Sequence, residues 1–218
     1  MQRNIKCGSA NTLRPIVYFC RILKSIMEQI ERHPLEPFVP EGAQLLMLGS
    51  FPPPHARWSM EFFYPNFQND MWRIMGLLFY ANKAHFELAG KRKFDVERVV
   101  DFCRSSGIAI FDVASAVIRL NNNASDKFLT IAEPTDIGTI VARMPACRAI
   151  VTTGEKATDT IVERYGCSKP KVGQCVNLTI ASCGYNFFRM PSSSRAYPLA
   201  LERKADVYKG MFCQLGML

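Results

Sequence analysis

The residues best suited to chemistry follow the ends of apolar segments. The apolar run at residues 45–48 leads into Gly49 and three consecutive prolines, and an aromatic cluster with several side-chain amides comes next. Asp112, Gly154 and the serines at 192–194 also stand just past apolar runs. A buried strand that enters a rigid, aromatic and amide-rich loop is how α/β folds present ligand sites, so we predict a ligand site at this loop.

The apolar pattern predicts strands that alternate with helices. The predicted core strands are residues 44–48, 107–111, 149–152 and 186–190, with a β-like segment at 176–181. The predicted helices are residues 70–80, 94–103, 137–144, 155–165 and 199–215. This alternation indicates a parallel sheet in a three-layer α/β domain. Because the carboxyl ends of parallel strands share one edge of the sheet, the polar features are expected to converge there.

Length and charge indicate one domain with a basic balance. A chain of 218 residues that is 48% hydrophobic can bury one core, so we predict a domain over residues 27–218 after a basic extension at 1–26. The net charge of +8 fits a nucleic-acid partner, although a solvated basic surface would give the same value. The extension supplies five of the positive charges and no negative one. It is interpreted as a helix, as a basic arm, or as the result of a start codon assigned upstream of the true start at Met27.

The cysteines and histidines show no metal-binding pattern. Eight cysteines without a CxxC pair, together with only three histidines, predict no metal and no cofactor. Unclustered cysteines in apolar runs are typical of buried thiols in a reducing compartment, so we expect a cytoplasmic protein. We also expect the protein to act as a monomer. No stretch reaches the roughly 18 uninterrupted apolar residues of a membrane span, and no membrane partner is expected.

Four short motifs stand in order between residues 45 and 212. They are Gly49-Ser50-Phe51-Pro52 with Tyr64 and Asn69-Asp70-Met71-Trp72; Gly107 to Asp112-Val113 with Arg119 and Ser125-Asp126; Thr153-Gly154-Glu155-Lys156-Ala157; and Met190-Pro191-Ser192-Ser193-Ser194. Together they resemble the motifs of the uracil-DNA glycosylase superfamily. They are most similar to its branch of hypoxanthine (deoxyinosine) and mismatch-specific enzymes. The resemblance implies a central, mainly parallel four-stranded sheet flanked by helices.

The resemblance also implies a DNA repair enzyme. Such an enzyme flips a deaminated base, hypoxanthine or uracil, out of DNA and hydrolyses its N-glycosidic bond. Water attacks the sugar C1′ through an oxocarbenium-like transition state, and fixed hydrogen-bond donors stabilise the anionic leaving base. The first motif contains no lysine, which favours a monofunctional hydrolase over a Schiff-base lyase.

Two residues are expected to carry the chemistry. Asn69 is expected to orient the attacking water, because an amide donates and accepts at once; its alternative role is to cap the next helix. Asp112 only accepts when ionised, which favours a base that presents an N–H, such as N1–H of hypoxanthine; its alternative role is a helix cap or a turn. At the positions of Phe51 and Met190, other branches of the superfamily carry polar side chains that act in catalysis.

The remaining assigned residues are expected to hold the substrate. The predicted base-binding residues are Gly49, Ser50, Phe51, Phe63, Tyr64 and Ser192, and the predicted DNA contacts are Lys156, Ser193, Ser194 and Arg195. Each has a plainer interpretation, because aromatic residues pack in cores, serines form turns and lysines are usually solvated.

Two further functions stay open from the sequence. Phe51 and Met190 are compatible with a non-catalytic protein that binds damaged or single-stranded DNA on the same fold. An N-glycosidase for a free nucleotide or nucleoside, or for RNA, is the other alternative, although a monomeric substrate would not need a basic surface.

Overall fold

The computed structural model describes residues 30–120 and 126–218. The predicted extension at 1–26 and Ser125 of the second motif lie outside the described residues. The strands are β1 (Ile30–Arg32), β2 (Leu45–Gly49), β3 (Ile108–Asp112), β4 (Ala114–Arg119), β5 (Leu129–Pro134), β6 (Ala149–Thr153), β7 (Cys175–Ile180) and β8 (Cys183–Met190). The α-helices are α1 (Met71–Tyr80), α2 (Val96–Ser105), α3 (Ile137–Ala142), α4 (Glu155–Tyr165) and α5 (Leu201–Gln214).

The larger sheet has the strand order β3-β2-β6-β8-β7. The four strands predicted for the core pair in parallel, which confirms the mainly parallel sheet. The predicted number of four strands is wrong, because β7 adds a fifth strand antiparallel to β8. The reason lies at Ala181 and Ser182, which both have positive φ. Two such residues form the tight turn of a hairpin, so β7 and β8 run in opposite directions.

A second sheet was not predicted. It has three antiparallel strands in the order β1-β4-β5. One residue, Val113, separates β3 from β4, so the sequence carries no turn signal that divides this apolar segment into two strands. The pairing of β1 with β4 brings His33, which follows β1, to the end of β3, where its N–H donates to Ser115 O at 2.8 Å.

The core lies around the central parallel strands. Every residue of β2, β3 and β6 is buried, as expected for parallel strands that are covered on both faces. Helix α2 packs on β3, α4 packs on β6, and α5 packs on β8 and α1. Among the described helices, none is long and apolar enough to cross a membrane.

Candidate active site

The carboxyl ends of the parallel strands meet at one edge of the sheet. Gly49 at the end of β2 pairs with Asp112 at the end of β3, and Thr153 at the end of β6 pairs with Met190 at the end of β8. The loops that leave this edge line a cleft of about 600 Å³. Eleven of the twelve predicted site residues line it: Gly49, Ser50, Phe51, Phe63, Tyr64, Asn69, Asp112, Ser192, Ser193, Ser194 and Arg195.

Lys156 is the predicted site residue that the cleft does not include. It lies in the first turn of α4 and lines an adjoining cleft of about 430 Å³. The two clefts share Asp126, Ser192 and Tyr197. The structure therefore places Lys156 beside the main cleft, on the side of α4.

A buried ion pair between Asp70, at the end of the loop after β2, and Lys204 of α5 lies under the serine loop that follows β8. The Asp70 carboxylate accepts from Lys204 Nζ at 3.0 Å and from Arg195 Nε at 3.0 Å. Lys204 is 1% exposed, and its ammonium also donates to Ser194 O at 2.8 Å. Asp70 N–H donates to Ser193 O at 2.8 Å. These bonds hold the serine loop next to Asn69.

Asn69 caps the helix that follows it. Its Oδ1 accepts from the N–H of Met71 at 2.9 Å, which satisfies one of the free N–H groups at the start of α1. Its Nδ2 donates to no described residue, so this amide nitrogen is free to bond to a molecule in the cleft. The cap and a role in the cleft use different atoms of the same side chain.

The Asp112 carboxylate is hydrogen-bonded to His33 through one oxygen and lies in close contact with Gly49 through the other. Its Oδ2 accepts from His33 Nε2–H at 2.9 Å, and the His33 side chain is 3% exposed. Its Oδ1 lies so close to Gly49 that a β-carbon at position 49 would collide with it. Glycine is therefore required at this position for the carboxylate to lie where it does. No sequence pattern pointed to His33, which precedes all four motifs.

A second carboxyl group, that of Asp126, also lines the cleft. Its Oδ1 accepts from the Ser50 hydroxyl at 2.6 Å. Burial raises the pKa of Asp126, and the negative charge of Asp112 raises it further, while the bond from Ser50 and the charge of Lys156 oppose the shift. Asp126 belongs to the second motif, and no role was predicted for it.

The three aromatic residues predicted to bind the base differ in exposure. Phe51 is 7% exposed and packs in a small cluster with residues of β4 and β5, and Phe63 is 4% exposed within the main core. Tyr64 is more exposed, has a positive φ of 51° and places its hydroxyl 2.9 Å from Thr153 Oγ1. Its hydroxyl group is nevertheless buried, which raises the pKa of Tyr64 well above its usual value, so the phenol stays neutral.

The serine loop forms its own turns. Ser192 Oγ accepts from Ser194 N–H at 3.2 Å, and Ser194 Oγ accepts from Ala196 N–H at 3.2 Å. The predicted turn role of these two serines is thus observed. Both hydroxyls keep a proton that can be donated into the cleft.

Comparison with known proteins gives a structural likeness. The chain matches no family model and no curated protein. It is similar in structure to a protein from Methanosarcina acetivorans, solved by solution NMR, that carries the provisional name of a uracil DNA glycosylase. The two chains are 21% identical, the match covers 86% of this chain and 99% of the other, and the TM-score is 0.56. The likeness shows a shared mixed α/β fold with a sheet rich in parallel pairs.

Proposed function

We propose that this protein is a monofunctional DNA glycosylase that flips a deaminated base, hypoxanthine or uracil, into the cleft and hydrolyses its N-glycosidic bond. The observation that carries the proposal is the meeting of Asn69 and Asp112 in one cleft at the carboxyl edge of the sheet. The four motifs and the fold shared with a protein named as a uracil DNA glycosylase support it.

Asp112 reads the edge of the flipped base in this proposal. An ionised carboxylate accepts hydrogen bonds and donates none, so it favours a base edge with an N–H. His33 holds Oδ2 of Asp112, which leaves the orientation of the carboxylate little freedom. Hypoxanthine, uracil and xanthine all present such an edge, whereas N1 of adenine is only an acceptor.

Asn69 positions the water that attacks C1′. Its free amide nitrogen is the group that can bond to the water oxygen, while its own oxygen is held by α1. Fixing the water in the attacking geometry lowers the entropic cost of the step. Tyr64, the most exposed of the three aromatic residues, is the one we assign to stacking on the base.

The DNA backbone is held at the rim of the cleft. Arg195 is half-exposed beside Ser194, and Lys156 lies in the adjoining cleft. Cations at these places attract phosphates without regard to sequence, while serine hydroxyls give them a defined position. Ser193 is 2% exposed, so the DNA contact that we assign to it is made by its backbone.

A second candidate is a non-catalytic protein that binds damaged DNA. It is favoured by the apolar side chains of Phe51 and Met190, which are 7% and 0% exposed and offer no polar atom to a substrate. Such a protein would bind DNA in the same cleft but would not hydrolyse the N-glycosidic bond.

The test is an excision assay with end-labelled oligonucleotides that carry one hypoxanthine, uracil or xanthine, in single- and double-stranded form. Alkali then cuts any abasic site, and an oligonucleotide with four normal bases is the matched control. Cleavage at one modified base would support the glycosylase and identify its substrate. Salt-dependent binding with no cleavage of any substrate would reject the enzyme in favour of the binding protein.

A further inference from the structure

We propose that Asp126 is the catalytic base that takes the proton from the attacking water. This inference rests on the proposed glycosylase function. In the step, the water oxygen forms a bond to C1′ and the bond from C1′ to the base nitrogen breaks. The electron pair of that bond leaves with the base, and the water proton passes to the Asp126 carboxylate.

The step needs a proton acceptor, which Asn69 cannot be. An amide does not take up a proton near neutral pH, and the Asn69 oxygen already accepts from Met71 N–H at 2.9 Å. The acceptor must therefore be another group that lines the same cleft. Among the described residues that line it, two have carboxyl groups, Asp112 and Asp126.

Asp112 is the poorer acceptor of the two. Its Oδ2 is bonded to His33 at 2.9 Å, and its Oδ1 lies against Gly49. The proposed function already uses its remaining capacity to read the base edge. A carboxylate that holds the base cannot also lie next to the water on the other side of the scissile bond.

Asp126 has the geometry of an ionised acceptor with one oxygen free. Its Oδ1 accepts from the Ser50 hydroxyl at 2.6 Å, a bond that favours the carboxylate form. No described residue is hydrogen-bonded to its Oδ2. Ser50 therefore fixes the carboxyl group while Oδ2 stays available to a water in the cleft.

The surroundings of Asp126 suit proton transfer. Burial and the charge of Asp112 raise the pKa of Asp126, which makes its carboxylate a stronger base, while Ser50, Lys156 and Arg119 favour the ionised form. In the described part of the chain, four charged or titratable groups interact with it electrostatically: Tyr64 after β2, Asp112 in β3, Arg119 in β4 and Lys156 in α4. Other such groups line the adjoining cleft with it: Lys127 beside it, Glu155 and Asp159 in α4, Arg189 in β8 and Tyr197 after β8.

The experiment measures single-turnover excision rates across pH for wild-type protein and variants, on whichever substrate the wild type cleaves. We expect Asp126→Asn to lower the rate by about 10²- to 10⁴-fold, with DNA affinity unchanged. The wild-type rate should fall as pH drops through the pKa of Asp126, and the residual rate of Asp126→Asn should lack this limb. Asp126→Glu should recover part of the rate.

Two further variants separate chemistry from structure. Ser50→Ala removes a bond that favours the ionised carboxylate, so the acidic limb should move to higher pH. Asp101→Asn, an exposed carboxyl group in α2, is the matched control and should leave the profile unchanged. An Asp126→Asn rate within threefold of wild type would overturn the assignment of Asp126 and leave the glycosylase standing. A wild-type protein that excises no base would overturn the proposed function itself.

Discussion

His33 Nε2 lies 2.9 Å from Asp112 Oδ2, although 79 residues separate the two along the chain. Both side chains are nearly buried, at 3% and 10% exposure. The contact exists because β1 pairs with β4 and so carries His33 to the end of β3. It fixes the orientation of the carboxylate that we propose reads the base.

Asp112→Asn should change which base is excised. An amide adds a donor where the carboxylate only accepts, so it meets the N1–H of hypoxanthine less well. Loss of one hydrogen bond in a desolvated site costs about 1–3 kcal/mol, so the rate on hypoxanthine should fall about 5- to 150-fold relative to adenine, whose N1 is only an acceptor. The measurement is the ratio of single-turnover rates on matched oligonucleotides. An unchanged ratio would remove Asp112 from base recognition.

His33→Ala should destabilise the protein. It leaves the buried Asp112 oxygen without its donor, which we expect to lower the free energy of unfolding by about 1–3 kcal/mol. Urea denaturation measures this change. In an Asp112→Ala background, where no oxygen is left to accept from the imidazole, the same substitution should cost less, because the two residues act as a pair. Equal costs in both backgrounds would show that the contact contributes nothing.

Gly49→Ala should displace Asp112 and lower excision. The added β-carbon would collide with Asp112 Oδ1, and both residues lie in paired strands that cannot move apart. We expect a rate loss of at least about tenfold, consistent with the cost of moving a catalytic group by about 1 Å. Gly184→Ala is the matched control, since its β-carbon would meet nothing within 4 Å. If Gly49→Ala and Gly184→Ala excise the base at the same rate, the close contact between Gly49 and Asp112 is not needed for excision.

Substitutions of Asn69 should separate its two roles. Asn69→Ala loses the cap on Met71 N–H and should lower the free energy of unfolding by about 1 kcal/mol. Asn69→Asp keeps an acceptor for the cap but loses the amide donor. Both should lower excision by about 100-fold or more while DNA affinity survives, a loss in the range of one removed polar group in an active site. Wild-type rates in Asn69→Ala would reject Asn69 as the residue that positions water.

Lys204→Met should be the most destabilising of these changes. It leaves the Asp70 carboxylate buried with the half-exposed Arg195 as its hydrogen-bonded cation, and breaking a buried ion pair costs about 3–5 kcal/mol. Arg195→Ala removes a half-exposed partner and should cost at most about 1 kcal/mol. Thermal and urea denaturation compare the two. Arg195→Ala should instead weaken DNA binding and reduce its salt dependence.

Local patterns in the sequence account for much of the larger sheet. The runs at 45–48, 108–111 and 149–152 are apolar because both faces of these strands are covered, and such runs can be recognised without knowing their partners. Asp112 and the serine loop could be selected because each directly follows a predicted strand, whereas Asn69 could be selected from the motif that resembles the glycosylase superfamily. The small sheet was missed because β1 is three residues long and β4 follows β3 without a turn signal.

By itself, the sequence determined the parallel strands, the helices between them and the residues that stand at the strand ends, because each depends on neighbours within a few positions. The tertiary structure alone decided that His33 holds Asp112 and that Ser50 holds Asp126, across 79 and 76 residues. Hydrogen bonds between distant side chains depend on which strands pair and in which register, and no local pattern of apolar residues carries that information.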